Sequence, residues 1–496
     1  MVVAPPPPPA PEPGSDPARH ASLKAILMAV PSGDTRVDPE ARPERQRVRA
    51  AVAALAADAV GGGLPARWDL LARTRWPAAA PASEVSLYEV AATVSAPVRF
   101  EVDNPYPEHR TYPSPRAKFP VRLVAQEGGV SRFPRPEAGD ALRVPAVPAA
   151  PAVPPGSVGP GSGGGDHIRT FALPDALPSF YGPLRTVLTG LETGHVLASL
   201  ALLGRALGRP LSVAGPSGAT EAWAGPLPYA AVPGYVMTPE PQSPQSPQSP
   251  SIPPIPSPHP AGNPSPDASP DASPDASPST GSGGTTWNQV VWERNSGRAP
   301  RGVAGFTGAH RPAPAALWRS ALNTLADSGR GLGALLPARS ALGLFCWVRE
   351  VEDVADGCYE IGFDGTARRV GELGAARGAL LVDSAAAPGL AFELDACNLV
   401  WLVTADLTAA CRTSDAPAPR MAADLLAAAG WTAQHLSYAM AAHGLFARPL
   451  RSYDAEGAAT ALALGPDRVP VYQLACGPNR FTEPALDVRH FPGGAA

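Results

Sequence analysis

The stretch Leu191–Leu211 reads LETGHVLASLALLGRALGRPL, and Ala427–Leu450 reads AAAGWTAQHLSYAMAAHGLFARPL. Set one above the other, Gly194 falls on Gly430, Leu200 on Leu436 and Gly208 on Gly444, each pair 236 residues apart, and both stretches then run into Arg-Pro-Leu. Val196, Leu200, Leu203 and Leu207 recur at steps of four, three and four, and Leu425, Ala429, Ala433, Leu436 and Met440 keep the same rhythm. Each stretch is therefore predicted to be an amphipathic helix that ends at a glycine. Alanine and glycine crowd both, so a partner helix can approach closely, which suits a packed central pair. The chain reads as a tandem repeat.

Upstream, Tyr112–Val124 can be laid on Leu336–Val348, each a proline turn leading into a run dense in Val, Phe, Trp and Leu, which predicts loop then strand. Further strands are predicted at Cys358–Phe363 and Val469–Ala475. Between the repeats, Pro239–Thr286 carries PQSPQSPQSP and SPDASPDASPDASP, a semi-extended disordered linker with nothing to bury. The expected organisation is a disordered tail over 1–20, a first half over 21–238 with a Pro/Gly-rich insertion at 144–165, the linker over 239–286, and a second half over 287–496.

Composition narrows the function. The 64 prolines and 49 glycines among 496 residues are explained by spacer, and 40 basic against 44 acidic side chains leave no field to draw nucleic acid or an anionic membrane. The N-terminus MVVAPPPPPAPEPG has neither a basic n-region nor an apolar h-region, and no run of eighteen apolar residues follows, so a cytoplasmic protein is expected. Cys346, Cys358, Cys397, Cys411 and Cys476 form no CxxC pair, which points to free buried thiols and to no metal site.

Four patches resemble the nitroreductase-like flavoproteins, and within them the azoline dehydrogenases that make thiazoles and oxazoles in ribosomally synthesised peptides. Glu293-Arg-Asn-Ser-Gly-Arg298 is similar to the Arg-Arg-Ser segment that grips the FMN phosphate, and an arginine fork with a hydroxyl suits phosphate oxygens. Arg110-Thr-Tyr-Pro-Ser-Pro-Arg116 resembles a Pro-Ser loop that reaches across to the flavin of the partner's site. Phe180-Tyr-Gly182 followed by Leu191-Glu-Thr-Gly-His195 matches a Lys-Tyr-Gly and Glu-Ala-Gly-His pair at the same separation, with Phe180 in place of lysine. Val469–Arg480 resembles a closing strand and Gly-x-Pro turn, whose basic residue would be Arg480.

The resemblance implies an α+β fold of two tandem nitroreductase-like halves forming an intrachain pseudo-dimer, each a mixed sheet flanked by helices. Family members are homodimers whose sites use both subunits. Here the second half keeps the phosphate grip, while the first keeps the loop and the tyrosine and has only a degenerate Arg73-Thr-Arg75. The second half shows Pro337-Ala338 where the first has Pro113-Ser114. One composite site is implied, with Tyr181 catalytic and FMN held by Arg294, Asn295, Ser296, Arg298, Pro113, Ser114, Arg116 and Arg480.

The implied function is FMN-dependent oxidation of azoline rings to azoles in a peptide substrate, with a cyclodehydratase complex as candidate partner. A phenol with a pKa of about 10 is a poor base without a neighbouring cation. With lysine missing, Arg185 or Lys118 substitutes, or His195 or His109 takes the proton, or activity is lost. A nicotinamide-dependent nitro- or quinone-reductase and a flavin-free scaffold subunit stay open as alternatives.

Overall fold

The computed structural model describes residues 17–29, 59–60, 64–102, 104, 106–136, 140–144, 165–216, 234–240, 284–297, 308–372, 396–451, 453–481 and 484–489. Most of the expected linker and insertion, and Arg298, lie outside the described residues.

Two large sheets organise the chain. In the first half the strands lie in the order β1 (Ala59–Val60), β6 (Asp140–Val144), β5 (Val130–Arg135), β4 (Val121–Glu127), β7 (His167–Ala172), β9 (Tyr235–Pro239), β8 (Leu211–Pro216). In the second the order is β12 (Ala367–Gly371), β11 (Gly357–Ile361), β10 (Leu342–Val348), β13 (Leu399–Asp406), β15 (Arg468–Pro478), β14 (Leu445–Leu450). Apart from the short β1, the two orders correspond strand for strand, so the 236-residue sequence repeat is a repeat of topology. A small third sheet joins β16 (Ala485–Asp487), β2 (Arg99–Glu101) and β3 (Glu108–His109).

Every strand pair in the two large sheets is antiparallel, which corrects the expected mixed sheets. The reason is local. A helix carries the chain from β7 to β8, and β9 then inserts between them; β15 does the same between β13 and β14. The strands that a helical crossover would have left side by side and parallel never touch.

The two central helices, Leu184–Ala206 and Ala418–Ala441, begin behind Pro183 and Pro417 and are followed by left-handed glycines, Gly208 at φ 75° and Gly444 at φ 72°. A side chain would be strained at either position. Both helices are buried nearly all round rather than amphipathic, because the two halves enclose them. The first is long and apolar enough to cross a membrane, yet lies almost wholly inside the protein.

They cross where the glycines permit. A Cβ on Gly194 would stand 2.0 Å from the Ala427 carbonyl oxygen, and one on Gly430 would stand 2.0 Å from the Leu191 carbonyl oxygen. Residue 427 is the repeat partner of 191, and 430 of 194, so the contact is reciprocal about a local twofold.

The halves exchange their leading helices. Helix Pro17–Leu27 places Leu23 and Leu27, both fully buried, in the core beneath the second-half sheet. Helix Trp287–Glu293, begun by a Thr286–Gln289 capping box, places Trp287, Val290 and Val291 in the core beneath the first-half sheet. An eleven-residue helix is marginal alone, whereas two buried leucines contribute roughly 1.5–3 kcal/mol each. Residues 17–20, expected to be disordered tail, are therefore helix. All five cysteines are free, four buried and Cys411 partly exposed.

Candidate functional site

The Arg110–Phe119 loop is clamped by side chains from both halves. Arg294 Nη2 donates to the Arg110 carbonyl at 2.9 Å, while Gln434 Nε2 at 3.1 Å and the Tyr438 hydroxyl at 2.9 Å donate to the Thr111 carbonyl. The Thr111 hydroxyl donates to Val94 O at 2.9 Å. From the first central helix, a Glu192 carboxyl oxygen meets the Ser114 hydroxyl at 2.7 Å, and the other accepts from Val121 N at 3.4 Å. Phe119 N donates to the Ser114 oxygen at 2.7 Å.

Between these anchors the backbone is forced left-handed at three residues other than glycine: Arg116 (φ 51°), Ala117 (φ 50°) and Phe119 (φ 48°). Each such residue costs on the order of 1–3 kcal/mol and persists only where its surroundings over-determine it. The strained turn lays the Arg116 guanidinium 4.8 Å from the Phe180 ring centroid, 6.0 Å from Tyr181 and 5.9 Å from Tyr106. Phe180 and Tyr181 sit on a short 3₁₀ turn with their rings 4.5 Å apart.

The second-half segment meets this loop. Arg294 closes helix Trp287–Glu293 and is 2% exposed; burial, then the charge of Arg99, pulls its pKa down to about 10. Its Nε has no hydrogen-bond partner among the described residues. Asn295 folds back, its Nδ2 donating to Glu293 O and its Oδ1 accepting from Gly297 N, while Arg448 Nη1 donates to Ser296 O at 3.4 Å. Behind it, fully buried Arg99 donates to Glu101 at 2.8 Å and to the Arg294 carbonyl at 3.0 Å.

A buried polar chain joins the halves. The Tyr472 hydroxyl lies 2.9 Å from His195 Nε2, and His195 Nδ1 lies 2.8 Å from Gln434 Oε1. Because the Gln434 amide nitrogen donates to Thr111, its oxygen is the acceptor, so His195 carries its proton on Nδ1 and accepts from Tyr472. At the repeat-related positions the second half has Ala428 for Glu192 and Trp431 for His195, and the first has Ala198 for Gln434. This network exists in one of its two possible places.

Burial pushes His195 and His435 down to about 3. The unfolded state therefore binds more protons than the folded one between about pH 3 and 6.5, and the stability the neutral rings contribute is complete above 6.5 and lost on acidification. Glu192, raised to about 8 by burial, acts in the opposite direction in the same window. Two groups against one leave a net loss: the thermal midpoint is expected to fall from pH 6.5 to 5, and a flat midpoint would contradict the buried neutral histidines.

No protein-family description and no curated protein matches the chain. Among solved structures it is similar to a protein described as a nitroreductase from Anabaena variabilis, at 16% identity and a TM-score of 0.52, over 92% of this chain and 91% of that one. The fold is nitroreductase-like. Shorter overlaps, which add nothing to that assignment, are with the E. coli microcin synthetase McbBCD complex bound to truncated pro-MccB17 (14% identity, 36% of this chain, 70% of that, TM-score 0.29) and with a nitroreductase in complex with FMN from Exiguobacterium sibiricum (14%, 40%, 92%, TM-score 0.27).

Within this nitroreductase-like fold Arg294 meets the Arg110 carbonyl and Arg116 lies over Phe180 and Tyr181, whereas Ser296 is held through Arg448 and Arg480 is exposed and stacks 5.1 Å from Phe481. Pro113 and Ser114 are half-buried on the strained loop. The cation over Phe180 and Tyr181 is Arg116; Arg185 is held by Asp175 at 2.8 Å. His195, neutral and enclosed, is unsuited to collecting a substrate proton, and His109 sits 3.0 Å from the buried Glu101. Burial alone would raise Glu101, but His109 and Arg99 hold it well below the usual carboxylate range. Sequence reasoning missed Gln434, Tyr438 and Tyr472 altogether and gave Glu192 no role. Glu192, Gln434 and Tyr438 left one signal, polar residues breaking the apolar run of the central helices, and Tyr472 on β15 left none.

Proposed function

We propose that the chain is an intrachain pseudo-dimer, with halves over 21–238 and 287–496 joined by a tethering linker, and that it is an FMN-dependent dehydrogenase oxidising azoline rings in a ribosomally made peptide. The observation that supports the reading is the first-half loop Arg110–Phe119, clamped by the second-half side chains of Arg294, Gln434 and Tyr438, with its Arg116 over Phe180 and Tyr181. Its polar network has no second copy, and in sequence the segment resembles the azoline dehydrogenases. A cyclodehydratase complex is the partner class this chemistry implies.

The residues present suit a flavin phosphate. Arg294 is buried with Arg99, Arg110 and Glu101 close to it, and among the described residues its Nε has no hydrogen-bond partner, a position an anion would complete. Arg294, Asn295, Ser296 and Arg298 would hold that end, with Pro113, Ser114 and Arg116 toward the ring. When bound, FMN supplies a two-electron hydride acceptor. Tyr181 would take the proton from the carbon next to the one that loses hydride, and Arg116, 6.0 Å from its ring, is the cation standing where the resemblance has lysine. The clamped loop fixes both groups before substrate arrives.

One observation favours a flavin-free scaffold instead: the Arg294 guanidinium already donates to the Arg110 carbonyl and is almost wholly buried. Flavin released on denaturation separates the readings. One FMN per chain is expected. A colourless protein decides for the scaffold, and two per chain would show that the site lacking Glu192 and His195 equivalents also works.

A further inference from the structure

We propose that Glu192 is a positioning residue: by engaging the Ser114 hydroxyl it fixes the left-handed turn at Arg116–Phe119 that lays the Arg116 guanidinium on Phe180 and Tyr181. The inference deepens the reading above by assigning a residue that acts on its site through the loop. It rests on three observations.

The first is the contact itself. A carboxyl 2% exposed, in the middle of a helix lined by alanine, glycine and leucine, is costly to bury, and both its oxygens are directed at the loop, to Ser114 at 2.7 Å and Val121 at 3.4 Å. The charged and titratable groups around it are Arg110, Arg122, Tyr112 and Tyr472.

The second is what the contact holds. Ser114 accepts from Phe119 N, so the hydroxyl closes a five-residue turn that contains all three left-handed residues. Without an anchor beneath it, a turn of Pro, Arg, Ala and Lys relaxes toward ordinary right-handed backbone, and Arg116 leaves the aromatic pair.

The third is an internal comparison. The second half carries Ala428 at the position of Glu192 and Ala338 at that of Ser114, and there the corresponding segment is a short helix, Leu336–Ser340, with no left-handed residue in it. A central helix of this fold does not need the carboxyl, and the loop does not stay left-handed without the pair.

The test reads the loop directly, so it does not depend on flavin chemistry. Arg116 and Lys118 are trypsin sites inside the turn. In the full chain at pH 7, Ser114→Ala and Glu192→Ala are expected to speed cleavage after these residues by roughly ten- to a hundredfold, and to speed exchange of the Phe119 amide, as loss of a buried hydrogen-bonded anchor allows. Glu192→Gln keeps an acceptor oxygen and should stay within about threefold of the parent. If Glu192→Ala does not fold, Ser114→Ala tests the same link from the loop side.

A second readout is the pH profile of the thermal midpoint. The raised carboxyl keeps its proton in the folded state to about pH 8, so its stabilising protonation is lost as pH rises through 8. Between pH 6.5 and 8, the parent midpoint should fall relative to that of Glu192→Gln, because the buried histidines and cysteines titrate alike in both proteins and only the parent has the raised carboxyl. Parent-rate cleavage in folded Ser114→Ala and Glu192→Ala overturns the proposal, as does a Glu192→Gln profile parallel to the parent. A colourless protein with these loop effects intact would count against the flavin reading alone.

Discussion

Gly430→Ala is expected to lower stability by about 3 kcal/mol or more, with a fall in the thermal midpoint of roughly 5–10 °C. The added methyl would lie 2.0 Å from the Leu191 carbonyl oxygen, and no rotamer relieves a backbone–backbone clash. The two central helices would have to separate by more than an ångström at their crossing. Both cores depend on that crossing, since Leu191 belongs to the one beneath the second-half sheet, and Ala427 and Trp431 to the one beneath the first. Gly194→Ala should cost a similar amount, and the double variant less than the sum, because either methyl alone already forces the helices apart. Gly465, with open space where its Cβ would point, is the control, and its alanine variant should melt with the parent. A Gly430→Ala protein that also melts with the parent would mean that the helices do not cross this closely.

Tyr181→Phe is the larger effect on chemistry. It keeps the ring beside Phe180 and removes only the hydroxyl, so FMN binding should survive while azoline oxidation drops about 10²–10⁴-fold, read as loss of two hydrogens per ring on a cyclodehydrated peptide. Arg116→Leu should lower the rate as well. Phe180→Lys, which would restore the lysine of the related dehydrogenases, is expected to destabilise the protein, because position 180 is buried with the Arg116 guanidinium 4.8 Å from its ring. Oxidation at the parent rate by Tyr181→Phe would make the tyrosine packing only, with the fold untouched.

The architecture was largely legible in the sequence, and the reason is that it rests on short-range pattern. The 236-residue spacing of Gly194 and Gly430 marked the crossing, Gly208 and Gly444 marked the helix ends, and the Val-, Phe- and Trp-rich runs marked β10, β11 and β15, since periodicity and glycine conformation act within one or two turns of chain. Burial on all sides of the central helices was not legible, because each half supplies the remaining walls of the other's helix. The antiparallel sheets also escaped, because the insertion of β9 and β15 leaves no local trace.

What only the tertiary structure decided is which side chains meet. Arg294 reaches Arg110 across 184 residues, and Gln434 reaches Thr111 across 323. Arg116 rather than Arg185 lies over Tyr181 because a left-handed turn, pinned by a carboxyl 78 residues away, swings it there. The sequence by itself determined a repeated helix-and-strand frame and supplied the residue types of the proposed site. The partners of those residues were set by packing two unequal copies of that frame around a single pair of glycines, where a contact depends on the whole fold and on no local pattern.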